Sequence, residues 1–410
     1  MRFTKPKKVV GLDIGSHAVK AVQMSRAGNT LCIDDVGYAL VDPSQINVDP
    51  ITAQADALRE ALRNISVNQS MLVGALPGQT VVIRYPRLRD IAEDEIDQAI
   101  EAEASQSIPY DLSEVFLDWS LLDEEMDGEE KLLKVLLVAA KNEVIESRVQ
   151  VADAAEVEFS ALSVDSLALA DAAEGCQMLG PDESVALINL GATSVSIHFT
   201  KDGVSNFIRD ISWGAKEMIH AIAKARRVEF EDAEAILFNF EKELERSAEI
   251  VEATAVSDEE ETSATPPPLD TSEGSSLLEP LAEELGELEE ETSAPQDTQL
   301  DDLQTATPLD EILAMPIAKL VAEVRRSFDY YEHQLYERPV ERIILSGGAA
   351  HITPIQDALR NDLGIEDVSA ARPADGAIRI KNKSNTPEFE NYPAQFMVAV
   401  GLAARGVAEL

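Results

Sequence analysis

Val9-Val10-Gly11-Leu12-Asp13-Ile14-Gly15-Ser16-His17-Ala18-Val19 and Val185-Ala186-Leu187-Ile188-Asn189-Leu190-Gly191-Ala192-Thr193-Ser194-Val195 repeat one pattern at a constant offset. Each copy is an apolar run, a small polar residue, a tight turn containing Gly and a returning strand. The continuous apolar runs read as buried strands, and the residues after each turn (Val19 to Met24 in the first copy) alternate as a partner strand. A charged hairpin turn then closes each unit, Arg26-Ala27-Gly28 in the first and Lys201-Asp202-Gly203 in the second. A repeat of this spacing predicts two similar α/β domains that face each other.

The turns suggest chemistry. Glycine lets backbone N–H groups approach a ligand closely, and successive N–H groups form a concave anion site. One such turn is weak evidence. Here two share a strand–turn–strand frame, and Ser346-Gly347-Gly348-Ala349 follows a third short strand, Ile343-Ile344-Leu345. Together they predict a phosphate site. Asp13 at a strand end suits a Mg2+–water contact. Lys20 lies in phase with Ser16 along the strand and can reach the same face to meet phosphates.

Working outward, Leu31 to Leu40 extends the first hairpin, and Leu58, Ala61, Leu62 and Ile65 have helical spacing within Ala53 to Ile65. Met71 to Leu76 and Val81 to Arg84 read as strands, Ala92 to Gln106 as an acidic helix stopped by Pro109, and Val115 to Leu122 and Leu132 to Ala140 as a strand pair. Asn142 to Ala155 is helical, with Ile145, Val149 and Ala152 in line. Glu217 to Ala225 and Phe230 to Phe240 are two more helices. Ile312 to Tyr336 predicts a long one, with Ile317, Leu320, Val321, Val324, Phe328, Tyr331 and Leu335 on one stripe. Phe396 to Ala404 is a helix of small residues suited to tight packing on a sheet.

The chain of 410 residues is long enough for two cores. Aromatics make up only 5% of it, so aliphatic residues and alanine must do most of the burying. A formal net charge of -42 argues against non-specific nucleic-acid binding and repels anionic lipid. From Ser247 to Ala318 there are about twenty carboxylates and no Lys or Arg. Residues 247–308 are also rich in Ser, Thr and Pro, and such a composition cannot offset its ordering entropy, so a disordered insertion is expected, with Leu277 to Leu285 as a transient helix. Cys32 and Cys176 support neither a disulfide framework nor a zinc cage, and Cys32 reads as a small buried hydrophobe. Five histidines with no metal spacing give no metal site. No apolar run reaches eighteen residues, and the basic start leads straight into a strand, so a cytoplasmic chain is expected.

Gly11 to Lys20 resembles the first phosphate loop of the actin, heat-shock chaperone and sugar-kinase superfamily. Within that superfamily the PilM family of type IV pilus assembly proteins is similar nearly end to end. The similarity runs through Arg84-Tyr85-Pro86, Ser107-Ile108-Pro109-Tyr110, Leu137 to Lys141, Val164 to Ala170, Leu345 to Ala349 and Ala399 to Gly406. The resemblance implies two actin-like (ribonuclease H-like) domains around a nucleotide cleft. They would span 1–184, with a small α/β subdomain inserted at about 82–155, and 185–395. The helix 396–410 would pack back on the first domain.

The resemblance also implies ATP and Mg2+ as cofactors. Asp13, Gly15, Ser16 and Lys20 resemble the first phosphate loop, with His17 inside it, and Asn189, Gly191, Ala192 and Thr193 stand at the second. Gly347, Gly348 and Ala349 match the adenosine site, Glu234 the ribose contact, and Asp165 the acid that orients Mg2+ or water. The family's usual Asp is Asn189 here, a usual Lys is Leu237, and its Gly-Gly and Thr become Gly214-Ala215 and Ile219. Binding is expected to survive these departures, with hydrolysis very slow or absent. The implied partner is the N-terminal cytoplasmic tail of the membrane protein PilN, at the inner face of the inner membrane. An FtsA-like cytoskeletal protein, expected to end in a basic amphipathic helix, and a sugar kinase, needing an intact second loop, are the rival readings.

Overall fold

The computed structural model describes residues 7–89, 91, 95–128, 130–240, 307–382 and 387–410. The acidic stretch 247–308 lies outside the described residues except for its last two, and so does Leu277 to Leu285. The tip before Lys7 lies outside them too.

β1 (Lys8–Ile14), β2 (Ala18–Ala27) and β3 (Thr30–Leu40) form an antiparallel meander. Helix α1 (Pro50–Ala61) starts where the Asp49 carboxylate accepts the Thr52 N–H, with proline in the first turn. It returns the chain to β4 (Ser70–Leu76), parallel to β1. A small sheet intervenes, built from β5 (Val81–Arg84), β6 (Arg87–Arg89), β7 (Val115–Asp127) and β8 (Glu130–Lys141), with α2 (Ile96–Ser107) between β6 and β7 in the chain. β7 pairs with one edge of β8, and β5 and β6 share the other. Leu88, Ile100, Ala104, Ile108, Leu133 and Leu137 form its core.

Helix α3 (Asn142–Ala154) follows the small sheet in sequence, yet Val151 and the adjoining Ala155 belong to the core beneath the first large sheet, with Leu12, Leu58 and Leu62. β9 (Ala161–Val164) adds to β4 as the outermost strand, and α4 (Asp165–Gly175) follows.

The plan then recurs. β10 (Ser184–Leu190), β11 (Val195–Lys201) and β12 (Val204–Ile211) form a second antiparallel meander, followed by α5 (Ala215–Arg226) and α6 (Phe230–Phe238). β13 (Arg342–Ser346) lies parallel to β10 and β14 (Asp367–Ala370) parallel to β13. β15 (Arg379–Ile380) joins β3. The sheet orders are β15-β3-β2-β1-β4-β9 and β12-β11-β10-β13-β14. Without β15 they are the same: a meander, then two parallel strands added beside its first member. The repeat in the sequence is thus a repeat of topology.

The chain divides into two compact units, Met1–His220 with Ala314–Leu410, and Ala221–Leu313. Both large sheets and the small sheet lie in the first. The second holds α6, on which Ala233 and Leu237 are buried.

The long helix expected at Ile312 to Tyr336 instead runs Leu309–Asp329 and widens into a π turn at Tyr330–Gln334. Its stripe is buried through Tyr331, but Leu335 is exposed because the helix has ended. Pro316 lies inside the helix, and its carbonyl accepts the Trp213 indole N–H at 3.0 Å. Phe199 on β11 stacks on Tyr331 at 4.4 Å and meets the edge of Phe328 at 5.1 Å. Cys32 and Cys176 are buried and unbridged.

The C-terminal helix Met397–Ala408 packs on β1, β2 and α4. Its small residues bring backbones together: a methyl at Gly11 would strike the Ala399 carbonyl, and one at Gly401 the Ala168 carbonyl. Crowding of this kind costs about 1–3 kcal/mol. Gly401→Ala is therefore expected to lower the unfolding free energy by about that much in urea denaturation, and an unaltered midpoint would show that the helix does not sit this close.

Candidate functional site

The β1–β2 and β10–β11 turns are built alike. Gly15 N–H donates to the Ala18 carbonyl at 3.2 Å, and Gly191 N–H donates to the Ser194 carbonyl at 3.0 Å. The two turns face each other, with Ser16 Oγ 3.4 Å from Thr193 Oγ1. Gln54 on α1 supports the first from behind by donating to the Gly15 carbonyl at 3.1 Å. The start of α5 holds the second: Ala215 N–H donates to the Gly191 carbonyl at 3.0 Å and Lys216 N–H to the Ala192 carbonyl at 3.1 Å.

Two further glycines press against this second turn. A methyl at Gly214 would run into the Ala192 backbone, and one at Gly347 into the Leu190 carbonyl and the Asn189 amide. Gly347 also has φ +89, a region that residues with a Cβ rarely adopt. Ser346 Oγ donates to Asn189 Oδ1 at 3.4 Å. Gly348 and Ala349 continue from there, and the Ala349 N–H reaches the Leu190 carbonyl at 3.5 Å.

The charges are distributed unequally between the halves. In the β1–β2 register Asp13 faces Lys20, and their side chains form an ion pair at 3.1 Å. The corresponding β10–β11 pair is Asn189 and Ser196, both neutral. Lys20 is therefore engaged with Asp13 as well as lying beside the turn. His17 is held neutral, with its pKa lowered to about 4 by burial and then by Lys20 and Lys216. Arg148 on α3 is buried and donates to the Ile14 carbonyl at 3.1 Å, close enough to Asp13 and Asp165 to feel both charges.

Asp165, the first residue of α4, accepts the Gly78 N–H at 2.8 Å. Asp210 on β12 approaches the same glycine, and a methyl there would lie 3.0 Å from either carboxylate. Although Asp165 keeps some exposure to the cleft, its surroundings and then the charge of Asp210 push its pKa up to about 7. Burial also raises Asp210.

A buried polar chain starts one residue further on. His198 on β11 is fully buried, and burial drops its pKa to about 4, so it is neutral. Its Nδ1 lies 2.8 Å from the Ser166 carbonyl and must carry the single ring proton, since a carbonyl only accepts. Its Nε2 then accepts from the Ser205 hydroxyl at 2.7 Å, which leaves Ser205 Oγ to accept from Tyr85 OH, also at 2.7 Å. The donors run one way, from the small sheet through β12 and β11 to α4.

A separate groove opens on the other side of α3 and α4. Its volume is about 440 Å3, and Phe116, Val138, Ile145, Val149, Leu162 and Leu167 line it, with Asp118 on β7. Phe116 is 61% exposed and Val149 39%. The groove runs along β9, whose outer side has no strand partner among the described residues.

The structure thus gathers Asp13, Gly15, Ser16, His17 and Lys20 opposite Asn189, Gly191, Ala192, Thr193, Gly214 and Gly347. Glu234 lies on α6, in the other compact unit. The sequence reading did not single out Asp210, Arg148 or Gln54. Asp210 was one charge in a hairpin partner and Arg148 one polar position on an amphipathic helix. Among the described residues no cluster of three or more His, Cys, Asp or Glu could hold a metal by itself.

The folded value for Asp165 is above the ordinary 3.8, so the folded chain keeps a proton that the unfolded chain releases. This contribution to stability falls as pH rises from about 4 to about 7 and then levels off. Asp165→Asn retains the acceptor for Gly78. It should gain most in melting temperature over the wild type at pH 8 and least at pH 4, and an equal gain at both would contradict the raised value.

The model of the family described as Type IV pilus assembly protein PilM matches residues 11–250 and 301–407. Among solved structures, a PilM-PilN type IV pilus biogenesis complex is similar with TM-score 0.71 and 20% identity, over 97% of this chain and 98% of that one. The ethanolamine utilization protein EutJ from Carboxydothermus hydrogenoformans gives TM-score 0.50 and 13% identity, over 98% and 90%. At these identities the likeness concerns fold, and the fold is α/β and actin-like, with two related halves. The family match extends over most of the sequence, and this chain belongs to the type IV pilus assembly PilM family.

Proposed function

We propose that the chain is an ATP-binding scaffold of the type IV pilus assembly complex that holds the N-terminal tail of PilN as an extended peptide in the groove beside β9. The observation that carries the peptide reading is the groove itself. It offers apolar side chains for alternate residues of a strand and, along β9, an open backbone edge for hydrogen bonding, which is how strand addition recognises peptides. Asp118 at the lining favours a basic residue or an amino terminus. The solved PilM-PilN complex supports the choice of occupant.

Nucleotide binding rests on the facing turns. Their glycines let each turn close tightly where a Cβ would strike the turn's own carbonyl, and Lys20 and His17 stand beside them. Asp13 and Asp165 are the groups that would face Mg2+ and its water, which suits an ion usually held by one or two carboxylates plus phosphate oxygens. Gly348 and Ala349 would lie along the adenosine. When bound, Mg2+ would supply charge neutralisation to the phosphates.

Hydrolysis is very slow or absent on this reading. Asn189 cannot supply the charge of a carboxylate, Asp13 is already paired, and Asp165 holds its proton well above the usual carboxylate range. No helix among the described residues is long and apolar enough to cross a membrane. A place at the cytoplasmic face of the inner membrane would therefore come through the PilN tail.

Two outcomes are expected. Val149→Asp and Phe116→Asp each put an unpaired carboxylate into the groove and should weaken binding of a labelled synthetic PilN tail at least tenfold by fluorescence polarisation. Wild-type affinity in both variants would remove the groove from the reading. In a phosphate-release assay with ATP and Mg2+, the wild type should stay near background and Asn189→Asp should raise turnover several-fold. Brisk wild-type release abolished by Asp13→Ala would contradict the scaffold assignment.

A further inference from the structure

Two elements present one face to the groove and another to the cleft. On α3, Ile145 and Val149 line the groove, while Arg148 on the same turn sends its guanidinium the other way, to the Ile14 carbonyl. Val164 at the end of β9 and Leu167 on α4 flank the groove, while Asp165 between them receives the Gly78 N–H. Arg148 is 8% exposed, and its bond lands on the last residue of β1, immediately before Gly15 and Ser16. Side chains one and three residues apart share one turn of helix backbone, so a shift of that turn carries all of them.

We propose that Arg148 is the positioning residue through which peptide in the groove and nucleotide in the cleft strengthen each other's binding. The proposal rests on the two-site reading given above. A strand seated on Ile145 and Val149 restrains the α3 turn and so holds the guanidinium on Ile14. This removes motion from the Gly15–Ser16 turn that phosphate binding would otherwise have to remove. By linkage, the ordered turn returns the same factor to the peptide. The small sheet takes part, since Phe116 and Val138 form the far wall of the groove and Tyr85 ties that sheet to β12. Arg148 touches neither ligand, so its effect appears in the coupling and not mainly in either affinity.

The test is a two-ligand titration on the full chain with a fluorescent ATP analogue and a synthetic peptide of the PilN tail. In the wild type, saturating peptide should tighten nucleotide about fivefold or more, the low end of ordinary coupling factors, and saturating nucleotide should tighten peptide equally. Arg148→Met, which retains the apolar stem but no donor, should bring the factor to about one, with each ligand alone still bound. Arg148→Lys keeps one donor and a charge, serves as the variant more certain to fold, and should restore part of the coupling. Matching melting curves would separate loss of coupling from loss of fold. A wild-type coupling factor that persists in Arg148→Met overturns the proposal, as does a wild type that binds both ligands with no coupling. A wild type that fails to bind one of them overturns the two-site reading itself, and this inference with it.

Discussion

The structure depends on how closely the C-terminal helix approaches β1 and α4. Gly401 lets the helix press its backbone onto the Ala168 carbonyl of α4, and Gly11 lets β1 lie against the helix's own Ala399 carbonyl. Interiors pack at the density of organic crystals, so a contact with no side chain between backbones leaves little play. The helix comes from the far end of the chain, yet it fixes the distance between the strand that carries Asp13 and the helix that begins with Asp165. The Gly15 turn, at the end of β1, meets the Gly191 turn through Ser16 and Thr193.

The second constraint is the one-way hydrogen-bond chain Tyr85–Ser205–His198–Ser166. Leaving a buried donor or acceptor unpaired costs about 1–3 kcal/mol. Each link therefore resists being drawn apart, and together they tie the small sheet, the second sheet and α4. The ion pairs of Glu337 with Lys201 at 3.0 Å and Arg87 at 3.6 Å join the same sheets nearby. The groove wall on β7 and β8 is thus not a loose appendage. A ligand there acts on a body already braced against β12.

The repeat was legible in the sequence because it is local: strand, turn and return lie within eleven consecutive positions, and periodicity plus glycine placement define them. The matching turn bonds of Gly15 and Gly191 are the physical counterpart of that pattern. What the sequence did not reveal arises between distant segments. Nothing near Asp210 indicates that β12 will carry it to Gly78 and Asp165. Arg148 lies on a helix in which the sequence sets Ile145, Val149 and Ala152 in line. In fact Ile145 and Val149 border a groove, while Val151 enters the core under the first sheet. The long helix was misplaced at both ends because Pro316 and the π turn break the regular period from which helix limits are judged.

The asymmetry between the repeats bears on what the cleft can do. The first half keeps a charged pair, Asp13 with Lys20, where the second has Asn189 with Ser196. The second half does contain an acid, since Asp210 pairs with Ser196 across β11 and β12. But Asp210 approaches Asp165, and two carboxylates at close range favour sharing a proton over holding two charges. A cleft arranged this way can be filled and closed, because backbone turns do most of the cradling. It lacks a free, ionised carboxylate on the second strand to direct water at a phosphate. On the proposed reading, occupancy and not turnover is the signal such a protein sends. That agrees with the proposal of a peptide in the neighbouring groove.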